Sequence, residues 1–220
     1  MVTFEHVSKV YFGHKLRKVV HNDLNFEIRK GDSIGICGAN GAGKSTLLRM
    51  IAGIEFPTTG KITRDMTISW PIGFASCFQP SMTGADNVRF VARLYNQDIP
   101  SLLDFVEDFA QLGPYLHQPV STYSSGMVAR LAFGTSLAIN FECYIVDEVT
   151  GAGDARFRRR CEDELLNRRN NGTLIMTSHD PFMLQHYCRQ GAVLYNGALT
   201  FYDTIEEACD VHQALQMRAA

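Results

Sequence analysis

The sequence lacks a long apolar run and an excess of charge of either sign. Its longest mostly apolar stretch, residues 127–146, is interrupted by Arg130, Asn140 and Glu142, whereas a membrane-spanning helix needs ~20 consecutive apolar residues. Its 21 Lys and Arg and 23 Asp and Glu give a net charge of −2, which excludes a general cationic field for nucleic acid or an anionic membrane. We therefore expect a chain that does not cross a bilayer, binds no nucleic acid and holds any anionic ligand at a local site.

Closely paired cysteines are also absent, because none of the six forms a CxxC motif and several lie in apolar runs. We expect reduced, mostly buried thiols rather than disulfides or structural zinc. They are Cys37, Cys77, Cys143, Cys161, Cys188 and Cys209. The N-terminus alternates apolar and polar residues and carries Glu5 early, unlike a signal peptide, which predicts a protein of the cytosol.

The chain contains enough apolar material for one large α/β domain, with 220 residues of which 45% are hydrophobic and 20% charged. Period-two alternation predicts antiparallel strands over residues 2–28, and Asn196-Gly197 predicts a hairpin. Apolar spacings of three and four over residues 86–112 predict two amphipathic helices that part at Pro100. Further elements restore a β–α alternation typical of a parallel sheet: helix 125–139, strand 144–146, helix 155–169, strand 174–176 and helix 181–188.

Residues 38–46 fit the pattern G-x-x-x-x-G-K-[ST] between a predicted strand, 33–37, and a predicted helix, 45–51. Glycines let the backbone N–H groups converge on a phosphate, and the helix N-terminus adds partial positive charge. Lys44 would contact the β- and γ-phosphate oxygens, and Ser45 would offer a hydroxyl to Mg²⁺. The alternative is a glycine-rich turn with an exposed lysine. The candidate phosphate-binding residues are Gly38, Asn40, Gly41, Ala42, Gly43, Lys44, Ser45 and Thr46.

Polar residues at the ends of predicted strands extend this site. Asp147 and Glu148 end a buried strand, where Asp147 can reach the Mg²⁺ shell and Glu148 can deprotonate an attacking water; a solvated turn is the alternative. His179 ends the next strand and is a candidate γ-phosphate contact. Gln79 could hold water or Mg²⁺, and Tyr11 could stack on adenine or simply pack in the fold.

These motifs, in this order, resemble the ATP-binding subunit of an ABC transporter over nearly the whole chain. The diagnostic addition is Y-S-S-G-M at residues 123–127, which is similar to the family signature L-S-G-G-Q and keeps Ser124 and Gly126. The resemblance implies an α/β fold: a P-loop NTPase core of the ABC-ATPase type with an N-terminal antiparallel β-subdomain and an inserted helical subdomain. Residues 1–220 would form a single domain, with the core and β-subdomain at 1–85 and 112–220 and the helical subdomain at about 86–135.

The resemblance also implies a head-to-tail homodimer with two ATP molecules between the chains. The signature, with Ser124, Ser125 and Gly126, would face the γ-phosphate bound by the partner. Residues 147–154 are similar to the family's D-E-P-T-S-A-L-D, which places Asp154 in a loop at the dimer interface. By the same resemblance Gln79 belongs to the Q-loop, His179 is the switch histidine and Tyr11 stacks on adenine.

A narrower likeness is to the ATPase subunit of Gram-negative capsular polysaccharide exporters. It rests on S-W-P at residues 69–71, F-Q at 78–79 with S-M-T-G at 81–84, R-L-Y at 93–95, the signature segment and D-A-R-F at 154–157. It implies a permease dimer as partner, periplasmic co-polymerase and outer-membrane export components, a lipid-linked acidic polysaccharide as cargo, and a peripheral position on the cytoplasmic side of the inner membrane. O-antigen and teichoic acid exporters, or a soluble ABC ATPase without a permease, are the alternatives.

Overall fold

The structure is a computed structural model that describes residues 1–13, 16–74, 78–148 and 154–219. It divides into two compact units. The strand unit comprises Met1–Pro71, Phe141–Glu148 and Arg168–Ala220, and the helical unit comprises Ile72–Asn140 and Val149–Asn167.

Strands and helices alternate along much of the chain. The strands are β1 (Val2–Phe12), β2 (Arg17–Ile28), β3 (Ser33–Cys37), β4 (Thr59–Arg64), β5 (Ile68–Pro71), β6 (Cys143–Asp147), β7 (Thr173–Thr177), β8 (Gln190–Tyr195) and β9 (Ala198–Tyr202). The α-helices are α1 (Lys44–Ile51), α2 (Gly84–Leu94), α3 (Ile99–Ala110), α4 (Ser125–Ala138), α5 (Ala155–Asn171), α6 (Pro181–Tyr187) and α7 (Ile205–Ala219). Two 3₁₀ helices cover Gly113–His117 and Val120–Thr122.

The strand unit contains a three-stranded antiparallel sheet of order β2-β1-β4. In β1, Val2 and Phe4 are buried at alternate positions, as expected when one face of a sheet meets the core. The register then shifts between Phe4 and Val7, and Val7 is buried as well. The predicted β1–β2 pairing is confirmed, while β4 was not predicted from the sequence.

A six-stranded sheet of order β5-β6-β7-β3-β8-β9 lies in the same unit. Its first five strands pair in parallel and β9 pairs antiparallel with β8. Strands β3 and β7 are buried along their whole length, which suits a parallel sheet covered on both faces. Because parallel strands point the same way, the segments that follow β3, β6 and β7 emerge at one edge of the sheet.

The helical unit confirms two amphipathic helices, α2 and α3, but the predicted break at Pro100 is wrong. The helices part at residues 95–98, and Asp98 caps α3 by accepting a hydrogen bond from the Ser101 N–H at 3.0 Å. Pro100 lies in the first turn of α3. Proline is tolerated there because the N–H groups of a first turn have no partner within the helix.

The five cysteines within the described ranges are buried and free of disulfides, as predicted; Cys77 lies outside those ranges. Burial raises the pKa of Cys143, Cys161 and Cys188 to about 12, so these thiols stay protonated at neutral pH. Among the described residues, no helix has the length and apolar character that a transmembrane span requires.

Candidate active site

The predicted phosphate loop connects β3 to α1, and two of its glycines have left-handed backbones, Gly41 at φ +78° and Gly43 at φ +107°. A Cβ at Gly43 would lie 2.4 Å from Val20 Cγ1, and one at Gly38 would lie 2.9 Å from the Leu194 carbonyl oxygen. Glycine is therefore required at Gly43 by both conformation and space. The loop leaves the backbone exposed in front of the N-terminus of α1, where anions are stabilised.

Lys44 is folded back over this loop. Its Nζ donates to the carbonyl oxygens of Gly38 at 2.6 Å and Ala39 at 3.2 Å. These hydrogen bonds hold the positive charge of Lys44 beside the loop backbone, where the phosphate oxygens of a bound nucleotide would lie.

A cavity of about 310 Å³, the P-loop cavity, brings most of the predicted residues together. It is lined by Tyr11, Lys18, Val20, Asn40, Gly41, Gly43, Lys44, Ser45, Thr46, Asp147, Glu148 and Thr177. Gly38 lines an adjoining cavity of about 570 Å³ together with His179. Lys18 and Thr177 were not predicted, because neither belongs to a motif in the sequence.

The two carboxylates at the C-terminal end of β6, Asp147 and Glu148, contact residues at and just beyond the end of β7. Thr177 Oγ1 donates to Asp147 Oδ1 at 2.7 Å, and His179 Nδ1 lies 2.6 Å from Glu148 Oε1. Glu148 has a positive φ of 53° and its N–H donates to the Thr177 carbonyl oxygen at 3.1 Å. Left-handed backbone at a non-glycine residue is uncommon, and here it accompanies a carboxylate that faces the P-loop cavity and contacts an imidazole.

The donor set in this cavity fits Mg²⁺. Ser45 offers a hydroxyl and Asp147 a carboxylate, and Mg²⁺ prefers oxygen ligands, keeps several waters and is held by one or two carboxylates with substrate phosphates. Within the described ranges, no group of three or more His, Cys, Asp or Glu side chains could hold a metal ion.

His21 lies beneath the phosphate loop and is fully buried. A Cβ on Gly43 would lie 2.9 Å from His21 Cε1, and neither ring nitrogen has a hydrogen-bond partner within the part of the chain that the structure describes. Burial lowers the pKa of His21 from 6.5 to about 4, against smaller raising effects of the Gly43 backbone and Glu55. The imidazole is therefore neutral in the folded protein at pH 7.

This burial makes stability depend on pH. The unfolded chain takes up the His21 proton near pH 6.5 but the folded chain only near pH 4, so the free energy of unfolding should fall by about 3 kcal/mol between these values. His21→Leu should abolish this part of the loss. Urea titrations of both proteins from pH 7 to pH 4 measure the difference, and parallel curves would contradict the expectation.

The remaining predicted residues lie in the helical unit, and Gln79 is held at its backbone. The Gln79 N–H donates to Asn87 Oδ1 at 2.8 Å, and Asn87 Nδ2 donates to the Gln79 carbonyl oxygen at 3.1 Å. The Gln79 side chain is exposed and therefore free to reach a ligand or a partner.

The signature segment opens α4. Ser124 caps this helix, since its Oγ accepts from the Met127 N–H at 3.3 Å. Ser125 is exposed and Gly126 lies in the first turn. Ser124 thus acts as an ordinary helix cap. The N-terminus of α4 is exposed, so it is also available to an anion.

Asp154 precedes α5 and is tied to α4. Its Oδ1 accepts from the Phe157 N–H at 2.9 Å, and its Oδ2 pairs with Arg130 Nη2 at 2.6 Å. Arg130 also lies 5.1 Å from the centroid of the Phe157 ring. Within the helical unit, therefore, Asp154 is fixed to the helix that carries the signature. Residues 149–153, which complete the segment resembling D-E-P-T-S-A-L-D, lie outside the described ranges.

Sequence comparison identifies the class of protein that this fold and site define. Residues 21–151 match the ABC transporter family profile. The chain therefore belongs to the ABC transporter family and is one of its ATP-binding (ATPase) subunits. Its relatives include the capsule polysaccharide export ATP-binding protein CtrD of Neisseria meningitidis serogroup B, 46% identical over 98% of this chain and 100% of that protein. The polysialic acid transport ATP-binding protein KpsT of Escherichia coli is 45% identical over 98% of both chains. A teichoic acids export ATP-binding protein, TagH of Bacillus anthracis, is more distant at 31%.

Structural comparison confirms the predicted fold class. A dimeric post-hydrolysis form of the ATP-binding cassette MJ0796, bound to ADP and Pi, matches with a TM-score of 0.77 over 92% of this chain and 98% of that chain. The two sequences are 21% identical, so this likeness establishes the fold of an ABC cassette and nothing more specific.

Proposed function

We propose that this chain hydrolyses ATP to power the export of a lipid-linked capsular polysaccharide through a separate membrane permease. The observation that carries the proposal is an identity of 44–46% over nearly the whole chain to three ATP-binding proteins. One is named for capsule polysaccharide export, one for polysialic acid transport, and the third is BexA of Haemophilus influenzae. The P-loop cavity supports it by combining a phosphate loop with two carboxylates, one of which, Glu148, contacts His179.

The residues of the strand unit divide the chemistry among themselves. Backbone N–H groups of the loop and Lys44 bind the phosphates, while Tyr11 stacks on the adenine. Glu148 accepts a proton from the attacking water, and His179, which contacts the same carboxylate at 2.6 Å, orients Glu148 and contacts the γ-phosphate. Ser45 and Asp147 would hold Mg²⁺, and the bound ion would neutralise charge on the phosphate oxygens.

Two copies of the chain complete the site in this proposal. The signature residues Ser124, Ser125 and Gly126 of one copy face the γ-phosphate bound by the other, and Asp154 lies at their interface. The exposed N-terminus of α4 supports this arrangement because its N–H groups and helix dipole favour an anion. ATP binding would close the pair and hydrolysis would reopen it.

The helical unit offers a surface for the permease. Phe74, Phe90 and Leu94 expose 49%, 54% and 66% of their area, and exposed apolar side chains of this size favour a contact with a protein partner. We place the permease dimer there, beside Gln79, and the subunit on the cytoplasmic side of the inner membrane. Periplasmic co-polymerase and outer-membrane components would continue the export route.

A chromosomal Lys44→Ala substitution in the bacterium that encodes this chain tests the proposed export function. We expect loss of polysaccharide from the cell surface and accumulation of lipid-linked glycan inside, because nucleotide binding loses its phosphate-contacting charge. Lys61→Ala is the matched control, since Lys61 is an exposed lysine of β4 that does not line the P-loop cavity. Normal surface polysaccharide in the Lys44 variant would refute the function.

A further inference from the structure

A partly buried carboxylate that belongs to no recognised motif, Glu55, is connected to residues that line the P-loop cavity. Glu55 follows the end of α1, and its side chain is only 18% exposed. Three donors converge on it: Lys9 Nζ lies 2.9 Å from Oε1, Arg49 Nε donates to Oε2 at 3.0 Å, and the Tyr11 hydroxyl donates to Oε1. One carboxylate thus connects β1, which carries Lys9 and Tyr11, to α1, which carries Arg49.

The contacts around Glu55 reach two residues of the P-loop cavity, Tyr11 and Thr46. Arg49 Nη2 donates to Thr46 Oγ1 at 3.3 Å, and the Tyr11 hydroxyl oxygen lies 3.4 Å from the same Thr46 atom. Lys9 Nζ is 5.0 Å from the centroid of the Tyr11 ring and donates to the Phe56 carbonyl oxygen at 2.7 Å. The hydroxyl end of the tyrosine is therefore anchored, while 39% of the residue remains exposed.

The carboxylate is charged under all ordinary conditions. Burial opposes its ionisation, but hydrogen bonds from Tyr11, Lys9 and Arg49 outweigh burial and lower the pKa of Glu55 to about 2. An ionised acceptor makes shorter and stronger hydrogen bonds than a neutral one. The anchor of Tyr11 thus stays in place at every pH at which the protein would work.

We propose that Glu55 is a positioning residue that holds Tyr11 in the geometry required by a purine nucleotide. This inference rests on the proposed function, because it assumes that the Tyr11 ring stacks on the base. A ring held at its hydroxyl loses little further freedom when the base arrives, so the anchor raises affinity by preorganisation. Glu55 contacts neither the base nor the phosphates in this proposal; it acts through Tyr11.

The test compares a ligand that has a base with one that has none. Calorimetric titrations would give the affinities of Glu55→Ala for ATP and for inorganic tripolyphosphate, both with Mg²⁺. We expect ATP affinity to fall about 3- to 10-fold, the effect of freeing one side chain, while tripolyphosphate affinity stays within about twofold of wild type.

Tyr11→Phe provides a second route to the same result, because it keeps the ring and removes only the hydroxyl that Glu55 holds. We expect the same selective loss of ATP affinity. The double variant should lose no more than either single variant, because both changes break the same contact between Glu55 and the Tyr11 hydroxyl. Glu142→Gln is the matched control: Glu142 is also a carboxylate paired with a lysine, Lys30, in the strand unit, but it does not line the P-loop cavity. It should change neither affinity.

The outcomes separate this inference from the proposed function. Equal losses for both ligands, or no loss for ATP, would overturn the role of Glu55. If Tyr11→Ala weakens ATP alone and Glu55→Ala does not, Glu55 has no such role and the proposed function stands. If the wild-type chain binds no ATP, the proposed function fails and this inference fails with it. Thermal unfolding identifies any variant that does not fold, and Tyr11→Phe then decides the question.

Discussion

Replacing Glu148 by glutamine should lower the rate of ATP hydrolysis by about 10²- to 10⁴-fold while ATP binding persists. The glutamine amide has nearly the shape of the carboxylate and can keep a contact with His179, which lies 2.6 Å from Glu148 in the native chain. It cannot accept a proton from the attacking water. The phosphate loop and Lys44 are unchanged, so the nucleotide should remain bound and the closed pair should accumulate.

Phosphate release and nucleotide binding, measured on the same preparation, check this expectation. Glu142→Gln again serves as control, because it removes one carboxylate from the same unit outside the P-loop cavity. A Glu148→Gln protein that hydrolyses ATP at the wild-type rate would remove Glu148 from the role of base.

The second large effect is expected at Gly126, in the helical unit. Gly126→Asp should abolish hydrolysis, because the aspartate would place a negative charge where the partner's γ-phosphate approaches. The fold should tolerate the change: a Cβ at Gly126 would meet only Ser124 Oγ, at 3.9 Å, among described atoms, and an acidic side chain in the first turn of a helix is stabilising.

Gly126→Ala is the matched control, since it adds the Cβ without the charge and should retain most activity. Hydrolysis by each variant and its thermal unfolding temperature would be compared. If Gly126→Asp folds and hydrolyses ATP as well as Gly126→Ala does, the signature segment takes no part in the site.

The candidate site residues that could be named from the sequence are those whose positions follow from local order along the chain. The phosphate loop could be recognised because strand, glycines, Lys44 and helix are contiguous in the chain. Glu148 and His179 could be placed together because both follow buried parallel strands, although only the structure shows that they are in contact. The family signal then added Tyr123–Met127, which composition and spacing would have explained as a helix cap.

Glu55 illustrates what the sequence could not show. Its contact with Tyr11 joins residues 44 positions apart, and nothing about an isolated glutamate after a helix indicates that three donors surround it. His21 is similar, because a histidine in an alternating strand gives no sign that it is completely buried under Gly43. Both depend on tertiary packing that sequence periodicity does not encode.

Secondary structure was missed where pairing, rather than local pattern, stabilises it. Strand β4 has no fully buried side chain and is stabilised by its backbone pairing with β1. Its sequence therefore lacks the apolar alternation by which a strand is recognised. The four residues of β5 include Trp70 and end at Pro71, and they pair with β6 far along the chain. At Pro100 the predicted break was wrong because Pro100 lies in the first turn of α3, which begins at Ile99, and does not separate the two helices.

The central claim is that two copies of this chain enclose the nucleotide between the phosphate loop of one and the signature segment of the other. It can be tested by mixing equal amounts of Lys44→Ala and Gly126→Asp chains, each inactive alone, and measuring ATP hydrolysis. Half of the pairs would be mixed, and each mixed pair would contain one intact site, so the account predicts recovery of about a quarter of wild-type activity if the sites act independently. A mixture no more active than its two components would contradict it.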